Sequence, residues 1–190
     1  MDVTSENDWK KLISKLMNLS HRLDILINNA GINIRKPIEE MEVDEWDTMM
    51  RVNVRSVFLG TKHVLPLMRK QMSGSIINMS SICGLIGHKY TPEAYAASKG
   101  AITLLTKSTA VRYARDGVRI NSLHPSTVRT DLVNKMLADP EKMRERLDEI
   151  PLGRLATVTD VVNAALYLAS DESSFLTGVS LPVDGGLTAY

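Results

Sequence analysis

Hydrophobic residues along the 190-residue chain follow two different spacings. Near the start, residues on one helical face are apolar: Trp9, Leu12, Ile13 and Leu16. Thr4 and Ser5 precede them and are residue types that cap helices, so the pattern predicts a helix over 5–19. The segment 23–31 is a nearly unbroken apolar run, which is typical of a strand buried on both faces of a parallel sheet. A second buried strand is expected at 74–81 and a third at 118–125, where Pro125 stops it.

Helical segments lie between these predicted strands. A long helix is expected from about Glu45 to Gln71, with Asp44 as its cap and an interruption near Pro66, and a second over 93–115. Residues 126–158 look irregular except for a charged helix at 140–149; a helix at 159–170 and a strand and turn at 178–186 follow. This alternation predicts one α/β domain over 1–190 with a doubly wound parallel sheet, whose chemistry lies at the carboxyl ends of the strands.

Composition narrows the class of protein. The net charge is +1, from 23 basic and 22 acidic residues, with no block of like charge. We therefore expect neither a nucleic-acid nor a membrane-surface partner. The single cysteine, Cys83, excludes an internal disulfide and suits a reducing compartment, and no apolar run reaches a membrane-spanning length. These features predict a cytoplasmic location.

Polar side chains that could take part in a reaction or in binding follow the predicted strands. The first strand ends in Asn28-Asn29-Ala30-Gly31, the second in Ser80-Ser81 and the third in His124-Pro125. Tyr95 and Lys99 are four residues apart, roughly 40° apart on one helix face. Taken singly, these residues are ordinary turn formers, strand terminators or surface side chains, and Asn53 in the second helix could simply face solvent.

Taken together and in this order, six motifs match the pattern of one protein family. They are Asn28-Asn29-Ala30-Gly31, "VNVRS", "INMSS", Tyr95-x-x-x-Lys99, "NSLHPSTVRTDL" and "LTGVSLPVDGG". The chain resembles the short-chain dehydrogenase/reductase family, in its classical branch, over essentially its whole length. The resemblance implies a Rossmann-like fold and hydride transfer between NAD or NADP and a carbonyl or secondary alcohol.

The resemblance also implies roles for four catalytic residues. Tyr95 is the general acid/base, and an adjacent Lys99 ammonium is expected to lower the pKa of its phenol. Ser81 stabilises the substrate oxygen, with Ser80 as the alternative serine. Asn53 would hold a water that connects Lys99 to solvent.

Cofactor contacts carry over in the same way, to Asp2 and Val3 at adenine, Asn28, Ala30 and Gly31 along the adenosine side, Tyr95 and Lys99, and Pro125, Val128 and Thr130 at the nicotinamide. Ser126 stands where the family usually has glycine, which would cost strain if the position needs positive φ. The spacing from Ser81 to Tyr95 indicates one inserted residue in "HKYTPE". No metal site is expected, because the four histidines show no ligand spacing.

The substrate pocket is expected to include Ser81, His88, Tyr90 and the 131–150 segment, which takes a small alcohol or ketone. Helices 45–71 and 93–115 resemble the family's oligomer-forming pair, which favours a homotetramer, with a dimer next. No glycine precedes Gly31, so we expect the glycine-rich phosphate turn and about 50 to 60 residues of the family fold to be absent from the front of the chain. The alternative function is therefore a non-catalytic fragment or partner subunit.

Overall fold

A four-stranded parallel sheet forms the centre of the protein. The computed structural model describes residues 1–131, 133 and 137–189. The strands are β1 (Ile25–Asn28), β2 (Gly74–Met79), β3 (Val118–Pro125) and β4 (Ser180–Val183). They lie side by side in chain order, and every neighbouring pair is parallel. Their carboxyl ends therefore share one edge, where Asn28, Met79 and Pro125 finish their strands.

Six helices surround the sheet in the described part of the chain. They are α1 (Glu6–Leu19), α2 (Val43–Met50), α3 (Ser56–Gln71), α4 (Glu93–Tyr113), α5 (Pro140–Asp148) and α6 (Val158–Ala169). None of them is long and apolar enough to cross a membrane. The predicted α/β class is confirmed.

Helices pack on both faces of the sheet. Neighbouring residues of a strand point to opposite faces, and β2 shows this at Ile76 and Ile77. Ile76 lies in one buried cluster with residues of α3 and α4, whereas Ile77 lies in a second cluster with Leu168 of α6. Helices thus cover β2 and β3 on both sides, whereas Ile25 (44%) and Ile27 (45%) of β1 are exposed, so the prediction of a first strand buried on both faces is wrong.

The predicted long helix at 45–71 is wrong in detail. Its first part, α2, begins at Val43 after Glu42, whose backbone N–H donates to the Glu45 carboxylate (3.0 Å), so Asp44 is not the cap. A five-residue π-helix, Arg51–Arg55, then joins α2 to α3. Pro66 does not interrupt α3, which continues to Gln71.

Other boundaries move by a few residues. The first and last strands are shorter than 23–31 and 178–186, and β2 ends before Ser80 and Ser81. The long helix at 93–115 becomes α4 followed by one 3-10 turn, and it is stopped at Gly117, which has a φ of 73°. Part of the segment predicted to be irregular, residues 132 and 134–136, lies outside the described residues.

Buried amides connect the sheet to the helices below the candidate site. Asn28 Nδ2 donates to Asn78 Oδ1 (2.8 Å), and Asn78 Nδ2 donates to Thr106 Oγ1 on α4 (2.9 Å). Both asparagines are buried. A buried amide that loses its partner costs the full desolvation of the group, so this chain of contacts fixes β1, β2 and α4 relative to one another.

We predict that Asn78→Ala lowers the free energy of unfolding by about 1–3 kcal/mol, because it leaves the Asn28 amide without its acceptor. Urea denaturation measures the change. The control Asn18→Ala lies on the exposed side of α1 and should stay within about 0.5 kcal/mol of the parent. Equal stability of the two variants would contradict the structural role of this network.

Candidate active site

Two serines follow β2 and take different environments. Ser80 Oγ donates to the backbone carbonyl of Lys99 (2.9 Å) and is tied to α4. Ser81 instead lines an open cleft together with Tyr95, and its side chain acts to lower the pKa of the Tyr95 phenol. The geometry therefore selects Ser81, rather than the alternative Ser80, as the serine next to the tyrosine.

Close packing brings the segment after Ser81 onto α4. A Cβ added to Gly84 would lie 2.7 Å from the backbone oxygen of Lys99. Only glycine allows this approach. It places the serine beside the first turns of α4, where the tyrosine and lysine are located.

Tyr95 and Lys99 share one face of α4. The Lys99 ammonium lies 5.4 Å from the centre of the Tyr95 ring, and its Nζ donates to the backbone oxygen of Met79 (2.8 Å). Lys99 is 4% exposed. The edge of the sheet therefore anchors the lysine.

Burial moves the pKa values of this pair in opposite directions. It raises the pKa of Tyr95 to about 12, reinforced by the nearby Cys83, whereas the Ser81 hydrogen bond and the charge of Arg35 act to lower it. Burial lowers the pKa of Lys99 to about 8. The expected lowering of the Tyr95 pKa is thus not seen in this structure, because desolvation is the largest effect on the phenol and raises its pKa.

Asn53 lies in the π-helix and is fully buried. Its Oδ1 accepts from the Ile32 N–H (2.8 Å), and its Nδ2 donates to the Ile32 carbonyl (2.9 Å) and to Ser98 Oγ (3.0 Å). Ser98 Oγ in turn donates to the backbone oxygen of Tyr95 (2.8 Å). The side chain thus joins the loop after β1 to the helix that carries the tyrosine.

A cleft of about 260 Å³ opens beside Tyr95. Its lining includes several residues predicted for substrate or cofactor: Ser81, His88, Tyr90, Val128 and Thr130. It also includes two residues that the sequence did not single out, Arg35 and Arg146. The described residues contain no group of three or more side chains arranged to hold a metal ion.

The wall of this cleft joins a loop to α5. Arg146 stacks on the Tyr90 ring, with its Cζ 3.8 Å from the ring centre. His88 Nε2 lies 3.3 Å from Glu149 Oε2, next to the end of the same helix, and its Nδ1 lies 3.0 Å from Thr91 Oγ1. The loop that carries His88 and Tyr90 is therefore held against the charged helix, a contact that no local sequence signal indicates.

His124 has a structural task that the sequence did not reveal. It is fully buried, with Nδ1 2.8 Å from the backbone oxygen of Ser81 and Nε2 2.8 Å from Ser122 Oγ. Burial lowers the pKa of this imidazole. A neutral ring with the proton on Nδ1 donates to Ser81 and accepts from Ser122, so His124 fixes the backbone of Ser81.

The cofactor residues predicted within the first 31 residues fall into three places. Ala30 and Gly31 are exposed at the end of β1, and a Cβ on Gly31 would lie 3.5 Å from Lys99 Nζ. The Asn28 amide instead points into the interior network. Asp2 and Val3 lie before α1, where Asp2 Oδ1 accepts from the Thr4 backbone (2.8 Å).

The loop after β3 departs from the expected strain. Pro125 ends the strand, and Ser126, Val128 and Thr130 border the cleft. Among the described non-glycine residues, only His21 and Met72 have positive φ, so Ser126 replaces glycine without backbone strain. Its hydroxyl is buried without a hydrogen-bond partner in the described part of the chain. A polar group such as a cofactor carboxamide fits this loop, because it would supply hydrogen bonds there.

Comparison with known proteins gives relatives over the whole chain. The family model described as enoyl-(acyl carrier protein) reductase matches residues 1–188. A cyclopentanol dehydrogenase of Comamonas testosteroni is 46% identical over 189 residues, which cover 100% of this chain and 75% of the relative. A trans-4-hydroxycyclohexanecarboxylate dehydrogenase of Sinomonas cyclohexanicum is 40% identical over 189 residues, covering 100% of this chain and 70% of the relative.

Solved structures give the same result. ElxO with NADP bound superposes with a TM-score of 0.95 at 32% identity, covering 100% of this chain and 77% of that one. A gluconate 5-dehydrogenase from Burkholderia cenocepacia, in complex with NADP and tartrate, has a TM-score of 0.94 at 35% identity, with 100% and 74% covered. The chain thus belongs to the short-chain dehydrogenase/reductase family and is an NAD(P)-dependent oxidoreductase that transfers a hydride between the nicotinamide and a carbonyl or secondary alcohol.

Proposed function

We propose that Tyr95 exchanges the proton of the substrate oxygen in this reaction and that Ser81, Lys99 and Asn53 support it. The observation that carries the proposal is that Ser81 and Tyr95 line one cleft and interact through their side chains, with Lys99 Nζ 5.4 Å from the centre of the tyrosine ring. A substrate oxygen that approaches this pair meets two hydroxyl groups. Both can donate hydrogen bonds to an oxygen that gains negative charge.

The pKa shifts indicate whether Tyr95 is a phenol or a phenolate at neutral pH. With a pKa raised to about 12, Tyr95 is protonated at neutral pH and is ready to act as a general acid in carbonyl reduction. Alcohol oxidation needs the phenolate, which a positive charge nearby favours. Lys99 supplies such a charge when protonated, and its pKa near 8 leaves much of it protonated at neutral pH.

Asn53 acts in this proposal by positioning. Both N–H groups of its amide already donate within the protein, to Ile32 and Ser98. The side chain thus serves as a clamp on the backbone next to Tyr95. A water that connects Lys99 to solvent would therefore bind an oxygen of Asn53 as acceptor rather than its N–H groups.

The cofactor supplies or accepts the hydride when it is bound. We propose that Ala30, Gly31 and Lys99 contact its ribose side and that Val128 and Thr130 contact the nicotinamide end. The position of Gly31 supports this, since a Cβ built there would lie 3.5 Å from Lys99 Nζ, which places the exposed loop after β1 beside the lysine. For Asp2 and Val3 the proposal of an adenine contact rests on the family resemblance.

We propose a small alicyclic secondary alcohol or its ketone as the substrate. Two relatives that the chain covers over most of their length are named for a cyclopentanol and for a hydroxycyclohexanecarboxylate. A cleft of about 260 Å³ suits a single small ring. The names of these relatives include one neutral and one anionic ring compound.

A homotetramer is the assembly that we propose, with a dimer next, for one domain spanning residues 1–190 in the cytoplasm. The outer faces of α3 and α4 carry exposed apolar side chains, at Phe58 (47%), Leu104 (69%) and Val111 (81%). Patches of this kind mark interaction surfaces. The single Cys83 is a free thiol, as suits a reducing compartment.

The acid/base role predicts that Tyr95→Phe lowers turnover by about a hundredfold or more, because the proton donor is removed while the ring remains. Turnover is followed by nicotinamide absorbance, and cofactor binding by calorimetric titration should persist. Tyr113→Phe, on the same helix and packed in the core, is the matched control. More than a tenth of the parental rate in Tyr95→Phe would refute the assignment.

Because Lys99 is buried, we predict that replacing it increases stability and abolishes activity. Because burial lowers the pKa of Lys99 from 10.5 to about 8, the folded protein carries the cost of a desolvated ammonium at neutral pH. Lys99→Met should therefore abolish turnover but raise the free energy of unfolding at pH 7 by about 1–3 kcal/mol.

The sign can be checked with pH. Between pH 8 and pH 10.5 the unfolded parent binds more protons at this site than the folded parent, so the stability of the parent rises and the advantage of Lys99→Met shrinks. Denaturation curves at several pH values measure this. A variant that is less stable than the parent at pH 7 would show that the contact with the Met79 carbonyl outweighs desolvation.

The assembly proposal predicts that Leu104→Glu with Val111→Glu reduces the oligomer to smaller species in sedimentation velocity, because two carboxylates would be buried in the interface. The control Leu19→Glu with Val43→Glu introduces the same charge at exposed apolar positions elsewhere. A parental chain that sediments as a monomer contradicts the proposal directly.

A further inference from the structure

Ser81 is connected to β3 by a side chain rather than by a strand partner. At the residue before it, the Ser80 N–H still donates to the Leu123 carbonyl of β3 (2.8 Å). At Ser81 the contact comes from His124, whose Nδ1 lies 2.8 Å from the Ser81 backbone oxygen. The imidazole thus extends the link between β2 and β3 by one residue, to the serine that lines the cleft.

The hydrogen bonds of His124 determine where its proton lies. A backbone oxygen can only accept, so Nδ1 carries the proton in the contact with Ser81. Burial lowers the pKa of the imidazole and the charges of Lys107 and Lys99 add to this, whereas the Ser81 contact acts to raise it. The ring is therefore neutral, and Nε2 is left as an acceptor for Ser122 Oγ, 2.8 Å away.

The Ser81 peptide is held from more than one side. Its oxygen also accepts from the Gly84 N–H (2.9 Å), and its Oγ accepts from the Cys83 N–H (3.3 Å). A hydroxyl whose oxygen accepts one hydrogen bond still has its own hydrogen to donate. Because Ser81 lines the cleft together with Tyr95, this hydrogen is available to an oxygen bound there. The position of the peptide therefore sets the direction of the hydroxyl.

We propose that His124 is a positioning residue for hydride transfer, whose Nδ1–H holds the Ser81 peptide so that the Ser81 hydroxyl points to the reacting oxygen. The proposal rests on the role of Ser81 proposed above and adds a residue that acts through it. His124 is fully buried and is not among the described residues that line the cleft. A misplacement of a group by about 1 Å can cost about a hundredfold in rate.

Replacement of His124 by amide side chains tests the contact. The nitrogen of an asparagine amide can take the place of Nδ1, whereas glutamine carries its nitrogen one bond further, near the place of Nε2. We expect His124→Gln and His124→Leu to lower kcat for cyclopentanol oxidation with NADP by about tenfold to a hundredfold. His124→Asn should stay within about threefold of the parent, because it keeps the donor. The KM for cyclopentanol should change by less than about threefold in all three variants, since the ring does not touch the substrate.

A second substitution shows whether His124 acts through the Ser81 hydroxyl. Ser81→Ala should lower kcat by itself, and adding His124→Leu should then lower it by no more than about twofold further. Asn121→Leu is the matched control, because Asn121 is equally buried on β3 and binds the Leu176 oxygen (2.9 Å) and the Val179 N–H (2.9 Å). It should lower the urea midpoint but leave kcat within about threefold of the parent.

NMR of the parent chain reads the proton without any variant. With isotope-labelled histidine, nitrogen correlation spectra at neutral pH should show the His124 ring with a protonated Nδ1 and an unprotonated Nε2. The opposite tautomer or a charged ring would overturn the proposal. A parental kcat in His124→Leu would also overturn it, as would an equal loss of kcat with and without the Ser81 hydroxyl. Full activity of Ser81→Ala is a different outcome, because it would refute the role of Ser81 proposed above and the role of His124 with it.

Discussion

The buried amide of Asn53 is the contact on which the geometry of the site depends. Three hydrogen bonds satisfy it, two to Ile32 and one to Ser98, in a place with no access to water. Losing any of them would leave a buried polar atom unpaired at a cost of about 1–3 kcal/mol. The loop after β1 and the first turns of α4 are therefore fixed together, and the backbone of Tyr95 is fixed with them through Ser98.

This rigid frame holds a proton-transfer pair in an environment that disfavours charge. The phenol and the ammonium are both driven toward their neutral forms by burial. The protein accepts that cost at a position where an apolar side chain would pack more easily, as is common where function and stability compete. Neutral His124 belongs to the same arrangement, because it supports the Ser81 backbone without adding charge.

Much of this arrangement could be predicted from the sequence, for reasons that are physical. A nearly unbroken apolar run identified β1, although one of its faces is exposed, and the alternation of strands with helices identified the parallel sheet. The spacing of Tyr95 and Lys99 defined one helix face, which the structure shows. The π-helix was not predictable in this way, since its hydrogen bonds span five residues where those of an α-helix span four, a difference that the apolar spacing does not show.

Contacts between distant segments could likewise not be predicted from the sequence. Glu42 is an unusual cap residue, and only its exchange with Glu45 identifies it. The sequence could not decide between Ser80 and Ser81, because the two residues are identical neighbours. The structure distinguishes them, since Ser80 is bound to the backbone of α4 and Ser81 faces the cleft. Arg35 and Arg146 are far apart in the chain and become neighbours of one cleft only through the fold.

The stacked pair of Arg146 and Tyr90 has a consequence for how such enzymes diversify. Neither residue lies on a strand, and neither belongs to the hydrogen bonds that fix Asn53, Ser98 and Tyr95. Selection could exchange the cation on α5, or its aromatic platform on the preceding loop, while the proton-transfer frame stays untouched. One or two substitutions at these positions could then change the substrate preference. The fold would tolerate them, because both residues lie at the edge of the site.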